Sequence, residues 1–358
     1  MKKVLISFSI LMIVITGACA PVKTIPEGEK EVYEWRLVTH QIEGTARYEG
    51  TIKPFIESVN EITDGQLVIE PYGADTLFPN NDTFEMVQNG VVEMAAIYTG
   101  FWTGKDPVFN LAGGTIPGDP IRGFEEHFYR SERLEPITSK AYEQFGITNL
   151  GAFDYAPEEV LISRVPIESI EDFEGKNIRA AGVASSFYGQ LGASAISLSA
   201  PEIYTGLQLG TVDAAEFNDF LVNGEMGLDE VTNYVIEPAL HVGPSTDKEL
   251  IVNEDAWEQL PEELKAAVYV ARDKVRYESA IAYGVESQKA ESEWRNNPDI
   301  EFIELPEEDV EEMREIGFEY LLDQREESDL SKEYVDEYAK VLNELGYEEE
   351  AKKLGFSE

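Results

Sequence analysis

Residues 33–39 read YEWRLVT, residues 66–72 read QLVIEPY and residues 91–98 read VVEMAAIY. Each is a short apolar run rich in β-branched or aromatic residues, which predicts a strand. Between them lie two stretches with helical spacing, Ala46 to Ile62 and Asp82 to Asn89, the second expected to be capped by Asp82. Strands and helices in strict alternation predict an α/β lobe with a largely parallel sheet.

The same alternation resumes near Ile147. Leu161 to Arg164, Asn177 to Ala180 and Val212 to Phe217 read as strands, with helices over Ser185 to Leu191 and Pro201 to Leu209. Pro201 suits a first helical turn, where its missing N–H costs nothing. One more strand, Glu249 to Asn253, requires the chain to cross between two lobes more than once, so a hinge is expected. After Pro261 there is no proline until beyond Trp294, and Leu264, Val268, Ala271 and Val275 keep to one helical face. Glu262 and Glu263 occupy the first turn, where the helix dipole favours them. Such a helix would run about 45 Å at 1.5 Å per residue, enough to lie across both lobes. Amphipathic helices over Pro306 to Leu322 and Lys332 to Leu345 close the chain. The expectation is an α/β protein of two lobes with crossing strands and a long bridging C-terminal helix. Its divisions fall at 33–155 for the first lobe, 156–247 for the second, 248–260 for the returning strand and 261–358 for the terminal helices.

Ahead of this, Lys2 and Lys3 precede an apolar stretch from Val4 to Ile15 and then Gly17, Ala18 and Cys19. That order of charge, apolar core and small residues is a secretory signal over 1–18, too short to span a bilayer. Thr16, Gly17, Ala18 and Cys19 resemble a bacterial lipobox, which would place a lipid on Cys19 and tether the protein through 19–32; the plainer reading is an ordinary signal with an incidental cysteine. Periplasmic or cell-surface anchoring through Cys19 is expected. As Cys19 is the only cysteine of 358 residues, no internal disulfide can form and the fold must stand on its hydrophobic core.

With 28 basic and 70 acidic residues the formal charge is −42. Phosphate backbones and anionic membranes repel such a chain. A small anion is repelled too at long range, so any anion site needs a cation placed beside it. Two readings of the charge stand side by side: adaptation to a saline medium that screens it, and a merely acidic surface.

Enzymatic signatures are sparse. The chain has no G-x-S-x-G, no glycine-rich phosphate loop, no H-E-x-x-H and no C-x-x-C, and His40, His127 and His241 lie far apart in sequence. Carboxylate pairs are too abundant to single out a catalytic dyad. More informative is Ile170 to Gly182, IEDFEGKNIRAAG, which sets Arg179 at the end of a strand just before a glycine and a helix. Ligands of open α/β sheets bind outside the carboxyl ends of the strands, and a guanidinium there offers a planar fork to a carboxylate. A surface arginine paired with one of the many acids is the alternative. Glu216, Asn218 and Asp219 sit at the exit of another strand, where an acid orients the arginine or holds a cation, or where Asn218 or Asp219 simply caps a helix. Phe101 and Trp102 follow the third strand and Trp35 lies in the first; most such aromatics are core.

These residues resemble the DctP-type substrate-binding proteins of tripartite ATP-independent periplasmic (TRAP) transporters. DFEGKNIR (Asp172 to Arg179), EIYTGLQLGTVDAAEF (Glu202 to Phe217) and WEQLPEELK (Trp257 to Lys265) carry the resemblance together. It implies a two-lobed periplasmic binding protein fold, a receptor that hands its ligand to TRAP membrane subunits, and no catalysis. DAAEF and FWTGK (Phe101 to Lys105) look most like the branch that holds 2-oxo or 2-hydroxy monocarboxylates through a bound cation. By that resemblance Arg179 clamps the carboxylate, with Phe101, Trp102, Tyr155, Phe217 and Asn218 as further ligand contacts. Glu216, the carbonyl of Phe217 and Glu158 then hold the cation, Ca²⁺ ahead of Na⁺ because two carboxylates favour the divalent ion. Glu158 stands where that branch carries glutamine, and Val242-Gly243-Pro244 replaces its glutamine-proline pattern after His241. Competing with a receptor are a secreted lipoprotein hydrolase or lyase using Glu158 and Glu216 as acid and base, and a signalling receptor for the same ligand.

Overall fold

The computed structural model describes residues 30–112, 116–155, 160–243, 245 and 248–357. The expected signal segment, Cys19 and Glu158 lie outside them. In the first lobe the chain forms β1 (Tyr33–Thr39), α1 (Ala46–Ile62), β2 (Leu67–Tyr72), α2 (Thr83–Gln88), β3 (Met94–Ile97), α3 (Gly123–Glu143) and β4 (Ile147–Ala152). The second lobe contains β5 (Leu161–Ser163), β6 (Asn177–Arg179), α4 (Val183–Gln190), β7 (Ser194–Ile196), α5 (Ala200–Leu209), β8 (Ala214–Glu216), α6 (Phe220–Glu225) and β9 (Tyr234–Glu237). The chain returns through β10 (Glu249–Asn253) and α7 (Glu254–Glu258), and finishes with α8 (Glu262–Arg295), β11 (Glu301–Glu304), α9 (Glu307–Arg325), α10 (Asp329–Glu344) and α11 (Glu348–Lys353).

Two sheets result, in the orders β2-β1-β3-β10-β4 and β11-β9-β5-β8-β6-β7. They are mixed rather than largely parallel. β1 runs parallel to β2 and β3, but β10 is antiparallel to β3 and β4. In the second sheet β6 is parallel to β7 and β8, while β5 is antiparallel to β8 and β9. The physical reason is the direction of entry: β5 and β10 each follow directly on a strand of the other lobe and begin at the cleft, whereas β11 follows the long helix α8 and lies parallel to β9. A second difference concerns Asp82, which makes no side-chain cap. A 3₁₀ turn over Asn80–Asp82 runs straight into α2, so Asp82 already has helical backbone angles.

Strand alternation assigns each sheet two cores. In β10 Leu250 and Val252 face the layer of α1 and α8, with Leu37, Ile52 and Phe55, while Ile251 faces the opposite layer with Val38, Ala95 and Tyr142. In the second sheet Leu161, Ile178 and Ala214 share one core and Ile162, Ala215 and Val235 the other.

Helices α8 and α9 both pass between the lobes. The 34-residue α8 buries Val268 and Val275 in a first-lobe core, and Ala290 and Trp294 in a second-lobe core. Between these anchors its buried positions turn polar or small: Arg276, Ser279, Ala280, Tyr283 and Ser287. Helix α9 runs back, with Met313 in a second-lobe core and Phe318 and Leu321 in a first-lobe core. At its middle Gly317 lies flat against the Pro117 carbonyl, where a Cβ would overlap it.

The lobes meet at a pair of glycines. Gly182, just after β6, has φ 56° and ψ −131°, a region essentially closed to other residues. A Cβ there would lie 3.0 Å from the Gly100 Cα and 3.0 Å from the Tyr98 hydroxyl, both in the first lobe. Gly182→Ala should therefore hold the lobes apart, raising the radius of gyration in small-angle scattering, and should cost about 1–2 kcal/mol in backbone strain. Gly189→Ala, where nothing lies within 4 Å of the new Cβ, is the control; identical scattering from the two variants would show that the glycine contact does not limit closure.

Candidate functional site

A cavity of about 520 Å³ opens where the two sheets face each other. His40, Gln41, Arg47, Tyr98, Phe101 and Lys248 line it from the first lobe, and Arg179, Ala181, Leu198, Glu216, Phe217 and Asn218 from the second. Most of these lie just beyond the carboxyl ends of β1, β3, β6 and β8. Lys248 precedes β10 instead, because an antiparallel strand turns its amino end to the same side.

Arg179, the last residue of β6, is 5% exposed. Its Nη1 donates to the Glu216 carbonyl at 2.6 Å and its Nε to the Leu198 carbonyl at 3.2 Å. The guanidinium carbon lies 5.1 Å from the centre of the Phe217 ring. The Glu216 carboxylate approaches to 3.3 Å through Oε1, which also accepts the Ala181 N–H at 2.7 Å. Two main-chain carbonyls thus fix the guanidinium's plane, the Glu216 carboxylate matches part of its charge on the Nη1 side, and Nη2 makes no hydrogen bond to the described residues. This is a preorganised fork for an anion.

Arg47, in the first turn of α1, is buried and joins the lobes. Nε donates to Asp154 Oδ2 at 2.9 Å and Nη1 to Asn218 Oδ1 at 2.9 Å. Asp154 also accepts Gln41 Nε2 at 3.0 Å and the Lys248 N–H at 3.0 Å. Asn218 takes its place with φ 35°, a left-handed conformation that asparagine tolerates better than most residues. Nearby, the Ala46 N–H at the start of α1 donates to Glu225 Oε2 at 2.9 Å, a carboxylate at a helix N-terminus. On the first-lobe wall Lys248 Nζ lies 5.6 Å from the Tyr98 ring centre.

The structure thus gathers Arg179, Phe101, Glu216, Phe217 and Asn218 around one cavity. It places two expected contacts elsewhere. Trp102 is core: it packs on Phe84 and donates Nε1 to the Tyr142 hydroxyl at 3.4 Å, so it stands behind His40 rather than on the cavity wall. Tyr155 packs with Phe124 and Phe128, a satellite cluster to one side. Asp219 is a helix cap, accepting the Val222 N–H at 3.1 Å, and Trp35 is core. His127 and His241 are buried away from the cavity, against Arg130 and Tyr188. Among the described residues no three His, Cys, Asp or Glu side chains form a metal-holding group. The oxygen set of Glu216 and the Phe217 carbonyl, which accepts Asn223 Nδ2 at 2.6 Å, still suits a hard cation completed by ligand oxygens.

Sequence reasoning missed Arg47, Lys248 and Gln41. Arg47 lies in the first turn of a helix that follows a strand, well beyond the strand end at Thr39, and so gave a weaker signal than Arg179. Lys248 carried no such signal, since its place at the cleft depends on β10 running antiparallel.

His40 Nδ1 accepts the Tyr98 N–H at 3.2 Å. Burial, and then the charge of Lys248, pull its pKa down to about 3. Because that lies below the ordinary histidine value, the unfolded chain gains a proton that the native protein refuses. The resulting stabilisation is complete above about pH 6.5 and is lost as pH falls towards 3. Between pH 7 and pH 5 the wild type should lose up to about 2 kcal/mol more stability than His40→Gln, measured by urea unfolding. Parallel losses in the two proteins would show that His40 does not titrate in this way.

The profile of the bacterial extracellular solute-binding protein family 7, DctP, matches residues 38–327. A monocarboxylate 2-oxoacid-binding periplasmic protein of Nostoc is 27% identical over 230 residues, 64% of this chain and 62% of its own length. The 2,3-diketo-L-gulonate-binding periplasmic protein of Escherichia coli is 25% identical over 166 residues, 46% of this chain and 50% of its own. In both cases the match spans less than two thirds of the relative. Among solved structures, a TRAP periplasmic solute-binding protein from Pseudoalteromonas atlantica with bound sodium and pyruvate superposes with a TM-score of 0.80 at 22% identity, over 91% of this chain and 100% of that one. Another from Colwellia psychrerythraea, with bound calcium and pyruvate, gives 0.80 at 21% identity over the same shares. The chain belongs to the DctP family, the bacterial extracellular solute-binding proteins of family 7.

Proposed function

We propose that this chain is the extracytoplasmic receptor of a TRAP transporter and that it captures a small 2-oxo or 2-hydroxy carboxylate between its lobes. The observation that carries the reading is Arg179: a buried guanidinium, oriented by two main-chain carbonyls, on the wall of an inter-lobe cavity. It clamps the ligand carboxylate, with Phe101, Phe217 and Asn218 shaping the remainder of the site. Capture and release, not turnover, is its activity. A hard cation, Ca²⁺ or Na⁺, would be held by Glu216 and the Phe217 carbonyl, with Glu158 as a further ligand, and would supply a second positive charge to the ligand's oxygens. The cations and pyruvate held by neighbours of the same fold support this reading. The protein would be tethered outside the cytoplasm through lipid on Cys19, and would present its ligand to the membrane subunits.

Closure supplies the mechanism. A bound anion draws the second-lobe Arg179 and the first-lobe Lys248 towards one charge, while Arg47 with Asn218 and Glu225 with the first turn of α1 hold the lobes together.

Titration calorimetry with pyruvate and Ca²⁺ tests the site. Removing one partner of a buried charge pair costs about 2–5 kcal/mol, so Arg179→Ala should weaken binding about 30-fold to several thousand-fold with little change in melting temperature. Arg179→Lys should rescue little, as an ammonium cannot reproduce the fork. Unchanged affinity in folded Arg179→Ala would overturn the assignment. Chelation followed by dialysis should lower affinity, and unaltered binding would remove the cation from the site. Cys19→Ser should release soluble protein or block processing, whereas an unmodified N-terminus beyond residue 19 in native material would count against the lipid anchor.

A further inference from the structure

A further cation is buried outside the cavity. Arg276 lies in the polar middle of α8, between the residues that anchor this helix in the two lobes, and is 2% exposed. Arginine cannot shed its proton in a protein, so its charge persists there. Yet Nε and Nη2 are buried with no hydrogen-bond partner, and the side chain forms no ion pair among the described residues. Its one strong contact is aromatic: the guanidinium carbon sits 4.1 Å from the centre of the Phe128 ring.

The surroundings are apolar and aromatic. Phe128, Tyr155 and Ala280 form a small buried apolar cluster, with the half-buried Phe124 packed on it, beside Arg276. Phe128 meets Tyr155 and Tyr277 edge to face, each at 87°, an arrangement that turns positive ring edges towards neighbouring groups. A cation–π contact compensates only part of the desolvation of a buried guanidinium. Two unsatisfied charged donors in apolar surroundings therefore call for an anion, and a compact monovalent one is the least costly to strip of water. We infer that Arg276 is an anion site of the halide class, binding chloride in the hinge between the lobes. The site is separate from the Arg179 cavity, so it stands or falls independently of the carboxylate reading.

The test is thermal unfolding of the purified chain at fixed ionic strength, with sodium methanesulfonate replaced stepwise by sodium chloride. Wild type should show a saturating rise in Tm on the order of 5 °C as chloride reaches about a hundredfold excess over its Kd. Arg276→Gln should lose the chloride response, and Arg179→Ala should keep it. Equal responses in wild type and Arg276→Gln, or none in either, overturn the proposal and turn the search for the counter-charge to the chain's own carboxylates. Should Arg276→Gln fail to fold, crystals of the wild type soaked in bromide decide the matter: an anomalous peak within hydrogen-bond reach of the guanidinium supports the site, and its absence refutes it.

Discussion

A chain with a formal charge of −42 can hold an anion only if a cation is fixed within a few ångströms of it, and the cavity is organised around that constraint. Arg179 answers it because two carbonyl dipoles fix its orientation and the Glu216 carboxylate, at 3.3 Å, meets it on the Nη1 side alone, so Nη2 is left for a ligand. Arg47 differs: its guanidinium is paired with the fully buried Asp154, so much of its charge is matched and its role is to join the lobes. Salt screens the acidic exterior over a Debye length of about 8 Å at physiological ionic strength, whereas the buried cations are screened far less. The repulsion outside and the attraction inside are thereby separated.

Topology brings the cations together. Parallel strands β1, β3, β6 and β8 end at the cleft, and β10, entering in the opposite sense, begins there. Arginine at a strand end, glycine after it and lysine before an antiparallel strand therefore meet around one cavity although they come from distant parts of the sequence. Gly182 against Gly100 brings the two main chains closer than any side chain would permit, which is how a cavity for a small solute can be enclosed by two large lobes.

Much of this was legible in the sequence. β1, α1 and β10 fall where their periodicity places them, and α8 runs unbroken from Glu262, because amphipathic spacing and the absence of proline are local signals. Arg179 and Glu216 stood out as charges at strand ends. What was not legible depends on contacts distant in sequence. Helix α3 carries Pro136 inside it and much of its burial is against α10, so its own pattern is weak. Trp102 and Phe101 are adjacent in sequence, yet one faces the core and the other the cavity, a choice made by the 3₁₀ turn over Thr99–Trp102 that carries them. β5 and β10 reverse direction because they begin at the cleft, and this displaced Lys248 from any expectation based on parallel sheets.

The paired crossings of α8 and α9 also set the order in which the protein can be completed. The first-lobe sheet requires β10, its covering layers require α8 and α10, and α9 is shared between the lobes. Residues near 40 are thus covered by residues near 270, and α3 by a helix that ends at Glu344. Neither lobe can finish its core before the last third of the chain is in place, since contacts this distant in sequence form late.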